Sequence, residues 1–436
     1  MTIDGALFSE ILEPRDEAAL AAIVAEARAA GRAIYPLGGR TSLNYGASAT
    51  RPGMGLSLAA LSRVIDYPAR DMTITVEAGL TLAELSRTLS AEKQWLPVFG
   101  SQPDEATIGG LVATAWSDGR RYGWGTIRDY VIGVRAVDGR GTPFKAGGRV
   151  VKNVAGYDFC KLLAGSLGTL AVITEVTLRL KPTPERSAWV VAPIDDLDSA
   201  EHALTWLTSS GARPAAIELL VGPAWSDLTA LEPLGAPRLG YLAVGFDGAD
   251  VEVAWMTETL VGEWRQLWSA GLSVGDRSAP ASHAPFATVE GENAAQLWRQ
   301  LRDFAAAPTT FKAATLPSDV CRTIARFREA DPNFSLLAHA GNGITLARVE
   351  RLAGANRVAE LAGRLRSTIA GSVTVVASRP DEPLGADEAW GPIGPALRWM
   401  QRVRRQFDPD DVLNPGRLMA ISPREAEPSD RFAADR

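Results

Sequence analysis

Three glycine-rich bends constrain this chain more than any other feature: Gly38-Gly39-Arg40-Thr41-Ser42, Thr107-Ile108-Gly109-Gly110 and Gly165-Ser166-Leu167-Gly168-Thr169-Leu170. Each stands beside a strand-like segment, and the run Lys152-Asn153-Val154-Ala155-Gly156-Tyr157-Asp158 precedes the last of them. Bare glycine backbone admits a ligand closely, and its freedom at φ > 0 lets consecutive N–H groups face one charge. A diphosphate is best matched by several such amides at once. One bend alone is an ordinary strand-to-loop turn. Three suggest a large dinucleotide lying against main chain. The 38–42 bend does not spell G-x-G-x-x-G at the opening of a helix, which disfavours a Rossmann site.

The 436 residues exceed what one hydrophobic core usually serves, so two domains are expected. The chain divides by pattern into 1–184, 185–392, a C-terminal helix and return at 393–420, and a charged tail at 421–436 expected to be disordered. With 46% apolar and 22% charged residues it fits an ordinary soluble globular chain. A net charge of −6 argues against general nucleic-acid binding, which needs a concentrated basic face. No apolar run approaches the ~20 residues that span a bilayer. The opening Met1-Thr2-Ile3-Asp4-Gly5 shows no secretory signal. A cytoplasmic location follows as an expectation, with at most peripheral membrane association through partners. Only Cys160 and Cys321 are present. They predict no disulfide framework and cannot ligate an iron–sulfur cluster, which takes four cysteines.

Helical spacing of Leu20, Ile23, Val24 and Ala27 predicts a helix near 16–30 that stops at Gly31. Strands are expected at 33–37 and 73–78, followed by a capping box at Thr81-Leu82-Ala83-Glu84. Asp138-Gly139 predicts a hairpin between 131–137 and 142–145. The run 170–180 reads as a strand that ends at Lys181-Pro182-Thr183-Pro184, where two prolines should forbid further pairing and begin a linker. Beyond it, strands at 216–220, 240–246, 372–377 and a hairpin turning at Asn342-Gly343 alternate with Ala/Leu/Arg-rich helices. That alternation predicts an antiparallel sheet with helices on one face.

With these residues in view, the chain resembles a known family. The 36–42 turn, the segment from Pro103 to Gly110, Arg128-Asp129-Tyr130-Val131 and the 165–170 run resemble the FAD-binding domain of the vanillyl-alcohol oxidase and p-cresol methylhydroxylase superfamily. The Lys152–Asp158 stretch and the C-terminal run Phe407-Asp408-Pro409-Asp410 to Leu413-Asn414-Pro415-Gly416-Arg417-Leu418 are similar to glycolate oxidase flavoprotein subunits. The resemblance covers most of 15–185 and is loose over 190–390. It implies an α+β chain: a two-subdomain p-cresol methylhydroxylase-type FAD-binding domain plus a cap domain with an antiparallel sheet flanked by helices.

Carried over by position, Pro36, Gly38, Gly39, Arg40, Thr41, Ser42, Pro103, Thr107, Ile108, Gly109 and Gly110 would meet the diphosphate side of FAD. Thr114, Ser117 and Asp118, within 113–118, and Gly156, Gly165 and Gly168 would line the rest. The Ile173 backbone would meet the adenine, and Asn414 would return to the flavin edge. No histidine precedes His202, so the family's histidyl–flavin link has no candidate in this region and the FAD would be noncovalent.

Catalytic relatives in the family carry two histidines in a His-x-Gly-Asp-Gly-Asn-x-His pattern that binds a metal. Here His339-Ala340-Gly341-Asn342-Gly343-Ile344-Thr345-Leu346 keeps one, so no metal is expected and His339 reads as a hydrogen-bonded hairpin residue. His339 and Tyr157 are the only candidates for a catalytic base. Trp116, Tyr122 and Trp124 follow the Gly109-Gly110 segment and are expected to touch the isoalloxazine. Cys160 reads as buried and inert. Arg398, Arg402, Arg404 and Arg405 read as a solvated face beside a buried stripe of Leu397, Met400 and Val403.

The resemblance implies an FAD-binding subunit of a glycolate (2-hydroxy acid) oxidase complex, with a catalytic flavoprotein subunit and an iron–sulfur subunit as partners. Electrons from a small 2-hydroxy acid would pass to an acceptor other than a nicotinamide. A self-sufficient hydroxy-acid dehydrogenase and a non-catalytic assembly subunit remain the alternatives.

Overall fold

The computed structural model describes residues 2–3, 6–149, 157–226, 234, 237–269, 286–306, 309–349, 354–377 and 383–419. Lys152 to Gly156 and the tail beyond 419 lie outside the described residues, so the expectations placed on them are not met or missed here.

Helix Glu17–Ala29 begins where the Asp16 carboxylate accepts from the Ala19 amide at 2.8 Å, and it buries Leu20, Val24 and Ala27. The chain then enters strand Ala33–Leu37, which runs parallel to Gly53–Ser57; that strand runs parallel to Ala6–Leu12 on its other side. A five-stranded antiparallel sheet follows, in the order Val64–Asp66, Thr73–Glu77, Ala171–Arg179, Val131–Asp138, Pro143–Gly147. Between its strands stands helix Leu82–Ser90, capped by Thr81, whose side chain accepts from the Glu84 amide. Apolar residues of these two sheets share one core with Leu413 and Val412 from the far end of the chain.

The prolines at 182 and 184 do not end pairing, contrary to expectation. Lys181 and Pro182 pair with Trp95 and Gln94. Pro182 sits at the outer edge of a two-stranded ladder, where a missing N–H costs nothing. Strand Arg186–Ile194 then starts at once and lies second in an eight-stranded antiparallel sheet. Its order is Ala287–Glu290, Arg186–Ile194, Gly240–Gly248, Ala216–Val221, Ser335–His339, Ile344–Arg348, Thr310–Ala314, Ser372–Ala377. Side chains alternate between its faces. Val190, Leu219 and Val244 pack under the helices at 197–207, 250–269, 320–330 and 355–368. Trp189, Val191 and Leu220 pack on the other face against helix Gly291–Asp303 and Trp116. Helices therefore cover both faces, not one.

Helix Leu397–Phe407 returns the chain to the first sheet. The Ile34 amide donates to Val412 O at 2.8 Å and the Asn414 amide to Ile34 O at 2.9 Å. Arg404 is no part of a solvated face. It is 1% exposed and donates to Met419 O, Leu413 O and Asp411 Oδ1, while Leu397, Met400 and Val403 are only partly buried. Arg398 and Arg402 stay exposed. Helical spacing cannot reveal a guanidinium whose partners, Asp411, Leu413 and Met419, lie on the segment that follows the helix.

Candidate functional site

A cavity of about 430 Å³ opens between the two cores. Its wall is made by the 38–45 loop, residues 100–102, the first turns of helix Ile108–Thr114, Leu167-Gly168, Ala171–Ile173 and the returning Asn414 and Arg417. Ala305, Val376 and Ala377 reach it from the eight-stranded part.

Close backbone approach explains the glycines. A Cβ on Gly39 would lie 1.6 Å from Glu105 O, and one on Gly38 would lie 2.2 Å from Thr107 Oγ1. The first two bends thus touch. Gly168, at φ +64, sits against Pro36, and the Asn414 side chain donates to Leu167 O at 2.7 Å. All three bends reach one cavity.

Their amides differ, however. Those of Gly39, Arg40, Thr41 and Ser42 have no acceptor among the described residues, and Arg40 stands in the left-handed region at φ 61. The 107–110 bend is instead a helix start whose amides are already used. Ile108 donates to Leu80 O, Gly109 to Ala78 O at 2.7 Å, and Gly110 to Thr107 Oγ1 at 3.3 Å. Gly165 and Leu167 likewise donate to Val112 O and Ala113 O. A second open row lies at Gly100, Ser101 and Gln102, whose amides also lack acceptors. A diphosphate fits such a site: the unpaired N–H groups of residues 39–42 and 100–102 stand on the wall of one cavity.

Of the residues expected to meet FAD, Pro36, Gly38, Gly39, Arg40, Thr41, Ser42, Thr107, Gly109, Gly110, Thr114, Gly168, Ile173 and Asn414 line the cavity. Pro103, Ile108, Ser117, Asp118 and Gly165 do not, and Gly156 is outside the described residues. Trp116 lines it and meets Tyr45 edge-on at 6.0 Å, whereas Tyr122 and Trp124 stand elsewhere. Tyr157, 88% exposed, and His339, 3% exposed, do not line it either. Sequence reasoning passed over Gly100, Ser101, Gln102, Tyr45 and Arg417. The first two are a Gly-Ser pair just ahead of Pro103, and Arg417 belongs to a motif from which only Asn414 was taken.

Asp118 points instead into a buried polar cluster on the eight-stranded sheet. Arg120 Nε donates to Asp247 Oδ2 at 2.7 Å, and its guanidinium lies 3.4 Å from the centre of the Trp298 ring. His339 Nδ1 is 2.7 Å from Glu218 Oε2. Glu218 Oε1, His339 Nε2 and Asp118 Oδ2 have no hydrogen-bond partner. Burial raises the Glu218 carboxyl, with His339 opposing, and raises the Asp118 carboxyl, with Arg120 opposing. Cys160 is buried, and its thiol is pushed up to about 11 by burial.

Comparison with known proteins agrees with the bend geometry. Residues 9–147 match the family model for an FAD binding domain. Glycolate oxidase subunit GlcD of Bacillus subtilis (strain 168) is 25% identical over 91% of this chain and 86% of its own length. Glycolate oxidase subunit GlcE of Escherichia coli (strain K12) is 28% identical over 84% of this chain and 88% of its own. D-2-hydroxyglutarate dehydrogenase of Xanthomonas citri pv. viticola is 27% identical over 91% and 86%. Among solved structures, an alkyldihydroxyacetonephosphate synthase shares the fold, with a TM-score of 0.61 over 93% of this chain and 75% of that one at 17% identity.

Proposed function

Residues 9–147 are an FAD-binding domain, in a chain related to FAD-dependent hydroxy-acid oxidoreductases; from this premise we propose that the protein is the FAD-binding subunit of a glycolate (2-hydroxy acid) oxidase complex. The observation that carries the reading is the pair of open amide rows, Gly39–Ser42 and Gly100–Gln102, facing one cavity. When bound, FAD supplies a hydride acceptor for the α-carbon of a hydroxy acid. The chain's own part is to hold the diphosphate on these amides, to flank the ring with Trp116 and Tyr45, and to keep water out with the wall formed by Val376 and Ala377.

The cofactor is noncovalent in this reading, because no histidine precedes His202. We take 1–184 as the FAD-binding domain, 185–392 as the cap, and 393–420 as the return to the first sheet. The partners are a catalytic flavoprotein and an iron–sulfur chain. Two features support a shared rather than a solitary role. His339 Nδ1 is engaged by Glu218, and Leu346 stands where a second metal-binding histidine would be.

The test begins with protein stripped of flavin. FAD at about a hundred times its dissociation constant adds roughly 2.7 kcal/mol of stability, read as a rise in melting temperature. Anaerobic glycolate is then added to the isolated chain and to the chain with its partners. Bleaching only with partners supports the subunit reading, and bleaching of the isolated chain overturns it. No thermal shift with FAD overturns the cofactor site itself.

A further inference from the structure

The cavity wall carries a cation that has no carboxylate partner among the described residues. Arg417 lines the wall and is partly buried. Its Nη2 donates to Ser42 O at 3.3 Å and Tyr45 O at 3.0 Å. No carboxylate pairs with it among the described residues, and the one ionisable group acting on it is the Tyr35 phenol. Burial pushes the guanidinium down to about 10, so it still carries its charge at neutral pH.

Its position is fixed from behind. The Trp390 indole donates to Arg417 O at 2.9 Å, and the Arg417 amide donates to Asn414 O at 3.2 Å. Gly416, at φ +85, makes the preceding turn, and a Cβ there would lie 2.1 Å from Thr50. With Nη2 held by the two carbonyls, Nε and Nη1 have no acceptor among the described residues, and a planar set of donors suits an oxyanion. Arg417 also grips, through Ser42 O, the same loop whose 39–42 amides are open. Charge and amides therefore converge on one loop.

We propose that Arg417 supplies the fixed positive charge that pairs with the diphosphate of the flavin dinucleotide, completing the site begun by the Gly39–Ser42 amides. The inference rests on the reading of this cavity as an FAD site. It assigns the guanidinium to the cofactor rather than to the carboxylate of a hydroxy acid, because its contacts are to the loop with open amides.

The test compares full-length wild type, Arg417→Gln and Arg417→Lys, each stripped of flavin and titrated with FAD. Displacement by ADP, which carries the diphosphate, and by riboflavin, which lacks it, is measured in parallel. Arg417→Gln is expected to weaken FAD and ADP about thirty-fold, equivalent to about 2 kcal/mol, with riboflavin within twofold of wild type. Arg417→Lys, which keeps the charge without the planar fork, should recover only part of the loss, and the salt dependence of FAD binding should be shallower in Arg417→Gln. Equal loss of riboflavin and FAD would make Arg417 a clamp on the 42–45 loop and overturn the proposal. So would FAD binding unchanged in Arg417→Gln. Wild type that binds no FAD, ADP or riboflavin would instead overturn the cofactor reading beneath it.

Discussion

The glycine-lined cavity and the buried cluster around Glu218 and His339 lie only two residues apart along the chain, at Trp116 and Asp118, yet they treat polar groups in opposite ways. In the cavity, the unpaired amides of residues 39–42 and 100–102 are neutral groups that stand, with the Arg417 guanidinium beside them, open to a ligand. In the cluster, unpaired groups are charged or titratable atoms closed in by protein, with Glu218 at 0% and His339 at 3% exposure. A neutral amide without a partner costs far less than a buried charge. The first arrangement suits a site that is filled and emptied. The second suits a joint that must not open.

The largest effect expected from this contrast is at the joint. Glu218→Ala leaves His339 without its partner and should cost about 3–5 kcal/mol of stability in urea unfolding, with FAD affinity of the folded protein unchanged. Loss of FAD affinity in that variant would break the distinction. Next comes Gly39→Ala, whose Cβ would lie 1.6 Å from the Glu105 carbonyl. Backbone meets backbone there, so about 1–3 kcal/mol or more is lost and the FAD-induced thermal shift disappears with it.

Gly110→Val sharpens the contrast, because only Thr107 Oγ1 stands near, at 3.3 Å. Stripped protein should keep its stability to within about 1 kcal/mol, while FAD titration shows at least a tenfold weaker affinity. A matching loss of stability would make Gly110 a packing residue.

A smaller effect is read from pH. Glu218 and Asp118 have folded-state values raised above 4.5 and 3.8 by burial. The folded protein then binds those protons more tightly than the unfolded chain. The contribution is full below the ordinary carboxylate range and is lost as pH rises through the raised values. Urea midpoints should therefore fall across that window, less steeply in Glu218→Gln. The smallest signal concerns the thiols. Burial pushes Cys160 to about 11 and Cys321 to about 12, so neither should react with a thiol reagent in the native protein at pH 8.

Local patterns in the sequence were enough to find the first helix, the Thr81 cap, the 131–147 hairpin and the hairpin at Asn342-Gly343, because each is decided within a few residues. The convergence of the bends was legible too, from glycine in three places. Which amides stay open was not. Gly109 donates to Ala78 and Gly165 to Val112, partners set by how helix Ile108–Thr114 packs, which no local pattern carries. Asp118 misled for a similar reason: a run assigned as one lining, 113–118, turns after Trp116 and delivers its acid to the other sheet. Arg404 was read from helical spacing, but its partners are carbonyls of a segment that folds back over it.

That fold-back has a consequence for biosynthesis. Asn414 and Arg417 close a wall begun at Pro36, so the pocket is incomplete until the ribosome has added residue 417. At about 5–20 residues per second, the opening strands wait on the order of tens of seconds for their last neighbour. Nascent chains arrested before that point should emerge colourless, whatever flavin surrounds them.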